Sequence, residues 1–440
     1  MTPRHDPMEE RRQNRDKVKQ ARLRRQRQMM LRLIIAGVIL VLCAVLIVVL
    51  TLTAPKDPTQ TEPSNTFLTE SPTDPAEQTA ASTEQITSNG EEKTVIHITS
   101  VGDFNITDRV VASGGNAFDY TQLLLDVVPL LTEADLTTMN LEGNFYGIPY
   151  GTVNASAPHQ LLTALSNAGI DLIQVANSYS IKNGISGLVS TLQYIDASGL
   201  EALGAYETNA DFNRSGGYTI RTVKGVKIAF VAFTKGMDGM ALPKGSENCV
   251  NLLYTDYSAS YQKVDTQRIT KILNNVKKEK PDIIIALLHW GSEYNDIHSK
   301  SQENIKKLML SLGVDAIIGT HPHYVQQIEF DPAAGTLVAY SLGDFVSDGV
   351  KGGTEYSLVL DLEITKDYET GETKVTGYQY TPVFTVSDEE TLRVVRLQTA
   401  MQAYELYHID RISGDMYQDM QYALDRIADR VVPKVEEEKK

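Results

Sequence analysis

The chain has 440 residues, of which 42% are hydrophobic, and it carries a formal net charge of −15. This length and apolar content are typical of a globular protein with one large domain or two ordinary ones. The negative charge opposes non-specific binding to nucleic acid, and the part predicted to fold has no basic stripe, so we expect no nucleic-acid partner.

The first 54 residues combine a basic segment with an uncharged one. Residues 1–32 contain eleven Lys or Arg against four Asp or Glu, and no charged residue occurs in residues 33–54. About 20 apolar residues are enough to cross a hydrocarbon core, and a basic flank stays on the cytoplasmic side. We therefore predict a cytoplasmic segment at 1–32, a transmembrane helix at 33–54 and an extracytoplasmic location for the residues that follow.

Two alternatives to this uncleaved anchor remain open. A cleaved signal peptide usually has a shorter apolar region that ends in a small-x-small site, whereas this region ends in VVLTLTAPK. Lipoprotein processing at Cys43 would require a small preceding residue, and Leu42 is bulky. The anchor is therefore the favoured interpretation. The second cysteine, Cys249, lies far along the predicted exported part, so no disulfide framework is expected.

Residues 55–93 are rich in Pro, Thr, Ser and Glu, which predicts a disordered linker. In residues 94–386, short runs rich in Val and Ile alternate with segments of helical spacing. The strand-like runs include VIHITSVG, ADLTTMNL, DLIQVAN, VKIAFVAF, PDIIIALLHW, VDAIIG and TLVAYSLG. This alternation predicts an α/β domain with a largely buried sheet. The segments LVLDLEI and VTGYQYTPVFT predict a closing hairpin, and residues 387–440 predict an amphipathic helical extension.

The helix-like segments of this domain have apolar residues at helical spacing, and several end on a glycine suited to a C-cap. They are FDYTQLLLDVVPLL, APHQLLTALSNAG, GLVSTLQYIDASG and SQENIKKLMLSLG.

Acidic and histidine side chains follow several of the predicted strands. They are Asp103, Glu142, His289, His321, His323 and Asp344. Ligands of open α/β sheets bind outside the carboxyl ends of the strands, so these side chains are expected to converge. Taken singly, Asp103 also fits a turn or N-cap, and Glu142 a solvated position. Imidazole with carboxylate suits one or two divalent cations such as Zn, Mn or Fe, so the set predicts a metal site.

Six motifs, in this order and spacing, resemble the bacterial capsule-synthesis CapA proteins. They are SVGDFNI, NLEG, VANSYSIKNGISGL, LLHWGSEYN, GTHPHYVQQIE and YSLGDFV, which together span about residues 95–350. This family is the poly-γ-glutamate synthesis group with a calcineurin-like metallophosphatase fold. The resemblance implies a four-layer α/β/β/α sandwich of two sheets flanked by helices, with a metal site at one sheet edge.

By position, the resemblance implies five metal ligands and places other residues along the site. The implied ligands are Asp103, Glu142, His289, His321 and His323. The residues implied to line the site are Asn105, Asn177, Ser178, Lys182 and Asp344, the last of which stands at the final position of the family's YSLGN.

One motif departs from the family pattern. Family members usually have ANNHxxDxG, whereas this chain has ANSYSIKNG, so Ser178, Tyr179 and Lys182 replace Asn, His and Asp. The resemblance implies that the replaced Asn binds a metal and that the replaced His assists the leaving group. Tyr179 is a candidate proton donor, but its ordinary pKa near 10 makes it a much weaker one than imidazolium. Lys182 would place a cation near the site, where it could compete with a metal or attract an anion.

Three functions are therefore open. The first is a membrane-anchored accessory protein that binds or processes poly-γ-glutamate or another anionic envelope polymer, with neighbouring membrane synthesis subunits as possible partners. The second is an active metal-dependent hydrolase of phosphoester or related bonds. The third is a catalytically inert scaffold in the envelope. The first is favoured.

Overall fold

The computed structural model describes residues 93–388, 392–407 and 412–431. None of the helices in these ranges has both the length and the apolar character that crossing a membrane requires. The predicted span at 33–54 lies outside the described residues, as do nearly all of the predicted linker and the basic segment at 1–32.

The described residues form fourteen strands. They are β1 (Lys93–Asn105), β2 (Leu136–Glu142), β3 (Leu172–Gln174), β4 (Glu201–Leu203), β5 (Thr219–Val223), β6 (Val226–Thr234), β7 (Ile283–His289), β8 (Ala316–Thr320), β9 (Ile328–Asp331), β10 (Thr336–Ala339), β11 (Asp344–Val346), β12 (Tyr356–Asp367), β13 (Thr373–Ser387) and β14 (Leu392–Arg396).

Ten α-helices lie between and after these strands in the described ranges. They are α1 (Asp108–Ser113), α2 (Thr121–Leu124), α3 (Val128–Thr132), α4 (Gln160–Ala168), α5 (Gly184–Ala197), α6 (Asn209–Ser215), α7 (Thr266–Lys278), α8 (Lys300–Ser311), α9 (Leu397–Tyr407) and α10 (Gly414–Val431). Short 3-10 turns occupy Gly115–Ala117 and Leu125–Val127.

The strands form two sheets. The first has the order β14-β13-β12-β1-β2-β3-β4, with β11 also paired to β1, and the second has the order β5-β6-β7-β8-β10-β9. In the first sheet, β1, β2, β3 and β4 run parallel, and in the second, β6, β7 and β8 do. Central strands of this kind are buried on both faces, which explains why β7 reads as the uninterrupted apolar run IIIALL before His289.

Three apolar cores separate four layers. The first core lies between the first sheet and helices α1 to α5, and includes Met139 and Leu165. The second lies between the two sheets and joins Ile98 and Phe230 to residues of α10. The third lies between the second sheet and helices α6 to α8, and includes Ile272. The prediction of an α/β domain, and the expectation of two sheets flanked by helices, are therefore confirmed.

The C-terminal part differs from its prediction at one point. The hairpin of β12 and β13 forms as expected, with antiparallel pairing along most of both strands. The predicted helical extension, however, begins with a strand, because residues 392–396 pair antiparallel with β13. The Val-rich sequence LRVVR buries Leu392, Val394 and Val395, and this favours a strand at a free sheet edge over a helix. Helices α9 and α10 follow it.

A second difference concerns the segment FDYTQLLLDVVPLL, which was predicted as a helix. The structure breaks it into α2, a 3-10 turn and α3. Pro129 stands in the first turn of α3, where its missing N–H is tolerated, whereas inside a longer helix it would remove a hydrogen bond.

Candidate metal centre

The predicted ligands all lie at one edge of the two sheets, where their strands end. Asp103 is near the end of β1, and it stands opposite Asp344 in the parallel pairing with β11. Glu142 is the last residue of β2, opposite Asn105 on β1. His289 is the last residue of β7, opposite Thr320 at the end of β8. Strand register therefore fixes the relative positions of these side chains.

The loop after β8 carries the other two histidines. His321 and His323 both adopt positive φ angles, of 91° and 60°, which non-glycine residues rarely do. The backbone N–H of His321 donates to Asp103 Oδ2 over 2.9 Å, and His323 Nδ1 lies 2.7 Å from Asp344 Oδ1. The loop is therefore held in an unusual conformation that places the His323 ring against Asp344 and the backbone of His321 against Asp103.

Asp103, Glu142 and His289 form one buried cluster. His289 Nε2 lies 2.5 Å from Glu142 Oε1, and His289 Nδ1 lies 3.1 Å from Thr234 Oγ1. Asn140 donates through Nδ2 to Asp103 Oδ1 over 2.5 Å and to Glu142 Oε1 over 3.2 Å. All three residues of the cluster are at most 2% exposed. The side chains are thus held in place by a continuous hydrogen-bond network.

Sequence reasoning missed Asn140. It stands two residues before Glu142 on the same strand, so the two side chains point to the same face of β2. A search for polar residues at alternate positions of buried strands would have found it.

The site concentrates negative charge in a buried environment. Burial, and then the charge of Glu142, raise the pKa of Asp103. Burial raises the pKa of Asp344 to about 7, with Asp103 adding to the effect. Burial would also raise the pKa of Glu142, but the neighbouring His289 outweighs it and lowers that pKa. Carboxyl groups in this arrangement are stabilised by a positive charge among them.

The two loop histidines differ in their electrostatics. Burial alone would lower the pKa of His323, but the charge of Asp344 and its hydrogen bond outweigh burial and raise the pKa to about 10. Burial lowers the pKa of His321 well below its ordinary value, and the nearby His289 and Lys235 act in the same direction. His323 therefore pairs with carboxylates, whereas His321 is a neutral ring.

The donor set fits a divalent metal ion. Potential ligand atoms lie within 4.8 Å of one another in three groups at this edge: Asp103 with Glu142 and His289, Asp103 with His323 and Asp344, and Glu293 with His321 and His323. Asp103 belongs to two of these groups. Carboxylate oxygens with imidazole nitrogens are the donors that Zn, Mn and Fe accept in proteins.

A fourth group, His298 with Glu303 and Glu329, lies elsewhere and is already satisfied. Lys306 Nζ lies 3.0 Å from Glu303 Oε1 and 2.9 Å from Glu329 Oε2. This group is an ion-pair cluster with its own cation.

The divergent motif lies beside the metal cluster. Asn177 donates through Nδ2 to Leu141 O over 2.6 Å and to Asn140 Oδ1 over 3.0 Å. Its Oδ1 accepts a hydrogen bond from the backbone N–H of Tyr179 over 2.9 Å. Asn177 thus fixes the end of β2 and the start of its own turn. Ser178 is half-buried and lines a cleft next to His321.

The other residues predicted to line the site contribute less directly. Burial, followed by the charge of Glu142, raises the pKa of Tyr179 far above its ordinary value. The Lys182 ammonium lies 6.0 Å from the centroid of the Tyr179 ring, and no hydrogen bond or ion pair joins it to the predicted ligands among the described residues. Asn105 donates through Nδ2 to Val346 O over 3.2 Å and also hydrogen-bonds Asp344.

A second lysine, which sequence reasoning missed, lies in the site itself. Lys235 Nζ lies 3.1 Å from His321 Nε2, and it donates to Gly291 O over 2.9 Å. It also stands 4.7 Å from the centroid of the Tyr261 ring. Burial lowers the pKa of Lys235, with Glu293 opposing the effect. Lys235 directly follows β6, so the same rule that selected the other strand-end residues would have found it.

The cleft around Lys235 has a volume of about 250 Å³. Its lining residues are Ser178, Lys235, Gly236, Asp238, Tyr261, Ser292, Glu293 and His321. The cleft opens next to the metal cluster, so a molecule bound in it would contact the same edge of the sheets.

The sequence of the chain is similar to those of bacterial capsule synthesis proteins. A family model described as "Bacterial capsule synthesis protein PGA_cap" matches residues 97–349. The chain is 27% identical over 264 residues to the capsule biosynthesis protein CapA of Bacillus anthracis, covering 58% of this chain and 61% of that protein. It is 28% identical over 213 residues to the PGA biosynthesis protein CapA of Bacillus subtilis (strain 168), covering 48% of this chain and 51% of that protein. The chain thus spans between half and two thirds of the length of these relatives.

Solved structures show weaker likeness. A phosphatase from Mycoplasma pneumoniae matches with a TM-score of 0.41 at 12% identity, covering 67% of this chain and 95% of that one. The calcineurin-like phosphoesterase YfkN from Bacillus subtilis matches with a TM-score of 0.39 at 16% identity, covering 76% of this chain and 100% of that one.

Proposed function

Because this chain belongs to the bacterial capsule synthesis protein PGA_cap family, we propose that it acts in the synthesis of an anionic envelope polymer such as poly-γ-glutamate. Its role there is to bind or process the polymer at a divalent-metal centre. Neighbouring membrane subunits of the synthesis machinery are the expected protein partners.

The observation that carries this proposal is the convergence of the predicted ligands. Asp103, Glu142 and His289 come from three strands of two sheets, yet their ligand atoms lie within 4.8 Å of one another. Burying so many carboxyl groups is costly unless a cation compensates for them. Protonated His323 offsets only part of this negative charge, so the placement of the carboxylates favours a bound divalent ion over a purely structural role.

In this proposal, Asp103, Glu142, His289 and His323 hold the ion, with Asp344 beside them. Asn140 orients two of the carboxylates, and the Thr234 hydroxyl fixes the ring of His289. A divalent ion at this position supplies a positive charge and Lewis acidity toward anionic groups of the polymer.

An active phosphoesterase-type hydrolase is the alternative, and the site is poorly equipped for it. The candidate proton donor, Tyr179, has a raised pKa because it is half-buried and close to Glu142. A donor that holds its proton so tightly contributes little to leaving-group departure at neutral pH. An inert scaffold is disfavoured for a different reason, since it has no use for buried carboxylates that need a cation.

We propose further that the folded domain is extracytoplasmic and is anchored by residues 33–54. The support is the basic flank of residues 1–32 and the uncharged stretch that follows it. A polymer exported across the membrane would then meet the site as it emerges.

Binding of purified poly-γ-glutamate to the full-length protein tests the function. We expect binding with Mn present, loss of binding with chelator, and loss in an Asp103→Asn variant. Binding that is equal with and without metal would contradict the metal-centre proposal. Turnover of p-nitrophenyl phosphate by the wild type, abolished in the same variant, would instead support the hydrolase.

A further inference from the structure

The metal centre has two sides, which differ in the side chains that they present. On one side, Asp103, Glu142, His289, His323 and Asp344 supply three carboxylates and two rings. On the other side, His321 faces the cleft, and the nearest cation is the Lys235 ammonium, 3.1 Å from His321 Nε2. Among the described residues, the first side offers a set of ligand atoms that no lysine ammonium contacts.

Lys235 is held at this position by several contacts. Its backbone N–H donates to His289 O over 2.8 Å, immediately after β6 ends. Its Nζ donates to Gly291 O, and its charge stands over the Tyr261 ring. Among the described residues, no carboxylate lies within ion-pair distance of Lys235, although Asp238 and Glu293 line the same cleft. The ammonium is thus a fixed positive charge of the site.

The contact with Lys235 removes His321 as a metal ligand. A neutral imidazole has one protonated nitrogen and one lone pair. When the ammonium donates to Nε2, the lone pair is used there and the ring proton lies on Nδ1. That nitrogen is buried and has no hydrogen-bond partner in the structure. It is therefore a donor available to an anionic ligand.

A second residue of the cleft, Ser178, supports the same conclusion. Ser178 lines the cleft together with Lys235 and His321. Its hydroxyl is a poorer neutral metal ligand than the amide that the resemblance implies at this position. The neighbouring amide of Asn177 is committed to Leu141 O, Asn140 Oδ1 and the backbone of Tyr179. This side of the metal centre thus has Ser178 in place of the implied amide ligand, and it contains the positive charge of Lys235.

We infer that this chain binds one divalent ion, on the Asp103 side, and that Lys235 replaces a second ion. Lys235, Ser178 and His321 Nδ1 then form a donor pocket for an anionic group, a carboxylate or phosphate, of the molecule bound to the ion. This inference rests on the metal centre of the proposed function and specifies its stoichiometry.

Metal counting on the full-length protein tests the inference. After loading with Mn and removal of free metal, elemental mass spectrometry of the wild type is expected to give one ion per chain. Electron paramagnetic resonance should show isolated Mn without coupling to a second ion. His321→Ala should retain the ion, whereas a site that uses His321 as a ligand would lose occupancy.

The double variant Lys235→Met with Ser178→Asn should raise the count from one to two, because it removes the competing charge and restores an amide ligand. Lys182→Met with Ser178→Asn is the matched control, since it removes a nearby lysine that does not contact His321, and it should remain at one. Lys235→Arg with Ser178→Asn keeps the charge and should also remain at one.

The outcomes separate the two proposals. Two coupled ions in the wild type would overturn the inference and leave the metal centre standing. A folded Lys235→Met, Ser178→Asn variant that binds one ion would likewise overturn the inference and leave the metal centre standing. No ion in any variant would overturn the metal centre as well. If the double variant does not fold, the wild-type spectrum and the His321→Ala count still decide the question.

Discussion

His289 and His323 are the histidines whose loss should cost the most bound metal. Both lie among the buried carboxylates, and neither contacts Lys235 in the way that His321 does. We expect His289→Ala and His323→Ala each to lower Mn affinity at least about tenfold, because ligands and their orienting partners typically contribute that much. Titration calorimetry with Mn measures the effect.

The matched control is His97→Ala. His97 lies on β1, as Asp103 does, but it pairs with Asp361 at the other end of the strand, with Nδ1 2.8 Å from Oδ2. Its loss should leave Mn affinity unchanged. Unchanged affinity in both site variants would show that the ion is held elsewhere.

His323 also predicts a pH dependence for the metal-free protein. Its pKa is raised to about 10 by Asp344 and Asp103, against an ordinary value of 6.5. Below about pH 6.5 the ring is protonated in both the folded and the unfolded chain, so the stabilisation is complete. Between pH 6.5 and 10 only the folded chain holds the proton, so the free energy of unfolding falls as the pH rises.

Urea denaturation in the presence of chelator, at pH 6 and at pH 9.5, measures this effect. We expect the wild type to lose at least about 1 kcal/mol more than a His323→Gln variant over this range. The variant serves as the control, because it lacks the imidazole and keeps the other titrating side chains, including Asp344, whose pKa the charge of His323 lowers. Equal losses would mean that His323 is not paired with Asp344 in the folded metal-free chain.

At the scale of elements, the close approach of β1 to β11 holds Asp103 in place. A Cβ added at Gly102 would collide with the carbonyl oxygen of Gly343, which accepts the backbone N–H of Asp103 over 3.0 Å. We expect Gly102→Ala to cost about 1–3 kcal/mol of stability, the usual range for overpacking. It should also weaken Mn binding, because Asp103 moves with its backbone.

Thermal denaturation and Mn titration of the same variant check both effects. Gly352→Ala is a suitable control, since a Cβ at Gly352 would meet no atom within 4 Å. A Gly102→Ala protein with wild-type stability and wild-type Mn affinity would show that β1 and β11 can separate without cost.

Helix α10 holds the loop between β7 and α8. Asp296 in this loop lies 2.7 Å from Arg426 and 3.0 Å from Arg430, measured between Oδ2 and the guanidinium nitrogens. Arg430 also donates to the Tyr356 hydroxyl over 2.8 Å. The same loop carries Glu293 and Tyr294, and the Tyr294 ring stacks on His323. Helix α10 thus contacts Asp296, and the loop that carries Asp296 contacts the metal centre through Tyr294.

We expect Asp296→Ala to lower stability by roughly 1–2 kcal/mol, because hydrogen bonds to charged groups are lost from two half-buried arginines. Hydrogen exchange should rise in residues 290–299 while the strands stay protected. Glu372→Ala, which removes an exposed ion pair with Lys374, is the control and should change little. Unchanged exchange in the loop would mean that α10 does not position it.

At the scale of the whole molecule, the sequence pattern predicted the individual strands, whereas the four layers were implied only by the family resemblance. Alternating apolar runs are a local signal, so strands such as β6 and β7 and the hairpin of β12 with β13 could be read directly. The strand at 392–396 could not, because its formation depends on the free edge of β13, which lies outside the local sequence. The candidate metal ligands could also be predicted, because they are acidic or histidine side chains that follow the predicted strands.

Lys235 was missed because a lysine after a strand is usually a solvated turn residue. Only the three-dimensional arrangement shows that its ammonium points to His321 rather than to solvent. Lys182, chosen from the sequence because it replaces an acidic family residue, lies beside Tyr179 instead. The ammonium that lies next to His321 is therefore that of Lys235, and not that of Lys182.

The distribution of charge bears on the proposed binding of an anionic polymer. The net charge is −15 over the whole chain and +7 in residues 1–32, which leaves −22 for residues 33–440. A polyanion approaching this part is repelled overall, so its binding depends on local positive charge. The proposed metal ion and Lys235 would supply that charge at one edge of the sheets.

The same distribution predicts how the protein would be oriented with residues 33–54 as its proposed membrane anchor. The basic residues 1–32 should remain in the cytoplasm, and residues from 55 onward should lie outside it, because an uncharged stretch of 22 residues between them is long enough to span the bilayer. In intact wall-free cells, added protease should therefore remove a tag placed after Lys440 and spare a tag placed before Met1. Lysed cells should lose both tags, and a cytoplasmic marker that survives in the intact cells confirms that they are sealed. A protected C-terminal tag in sealed cells would place the metal centre on the cytoplasmic side, where it could act on a precursor of the polymer but not on the exported chain.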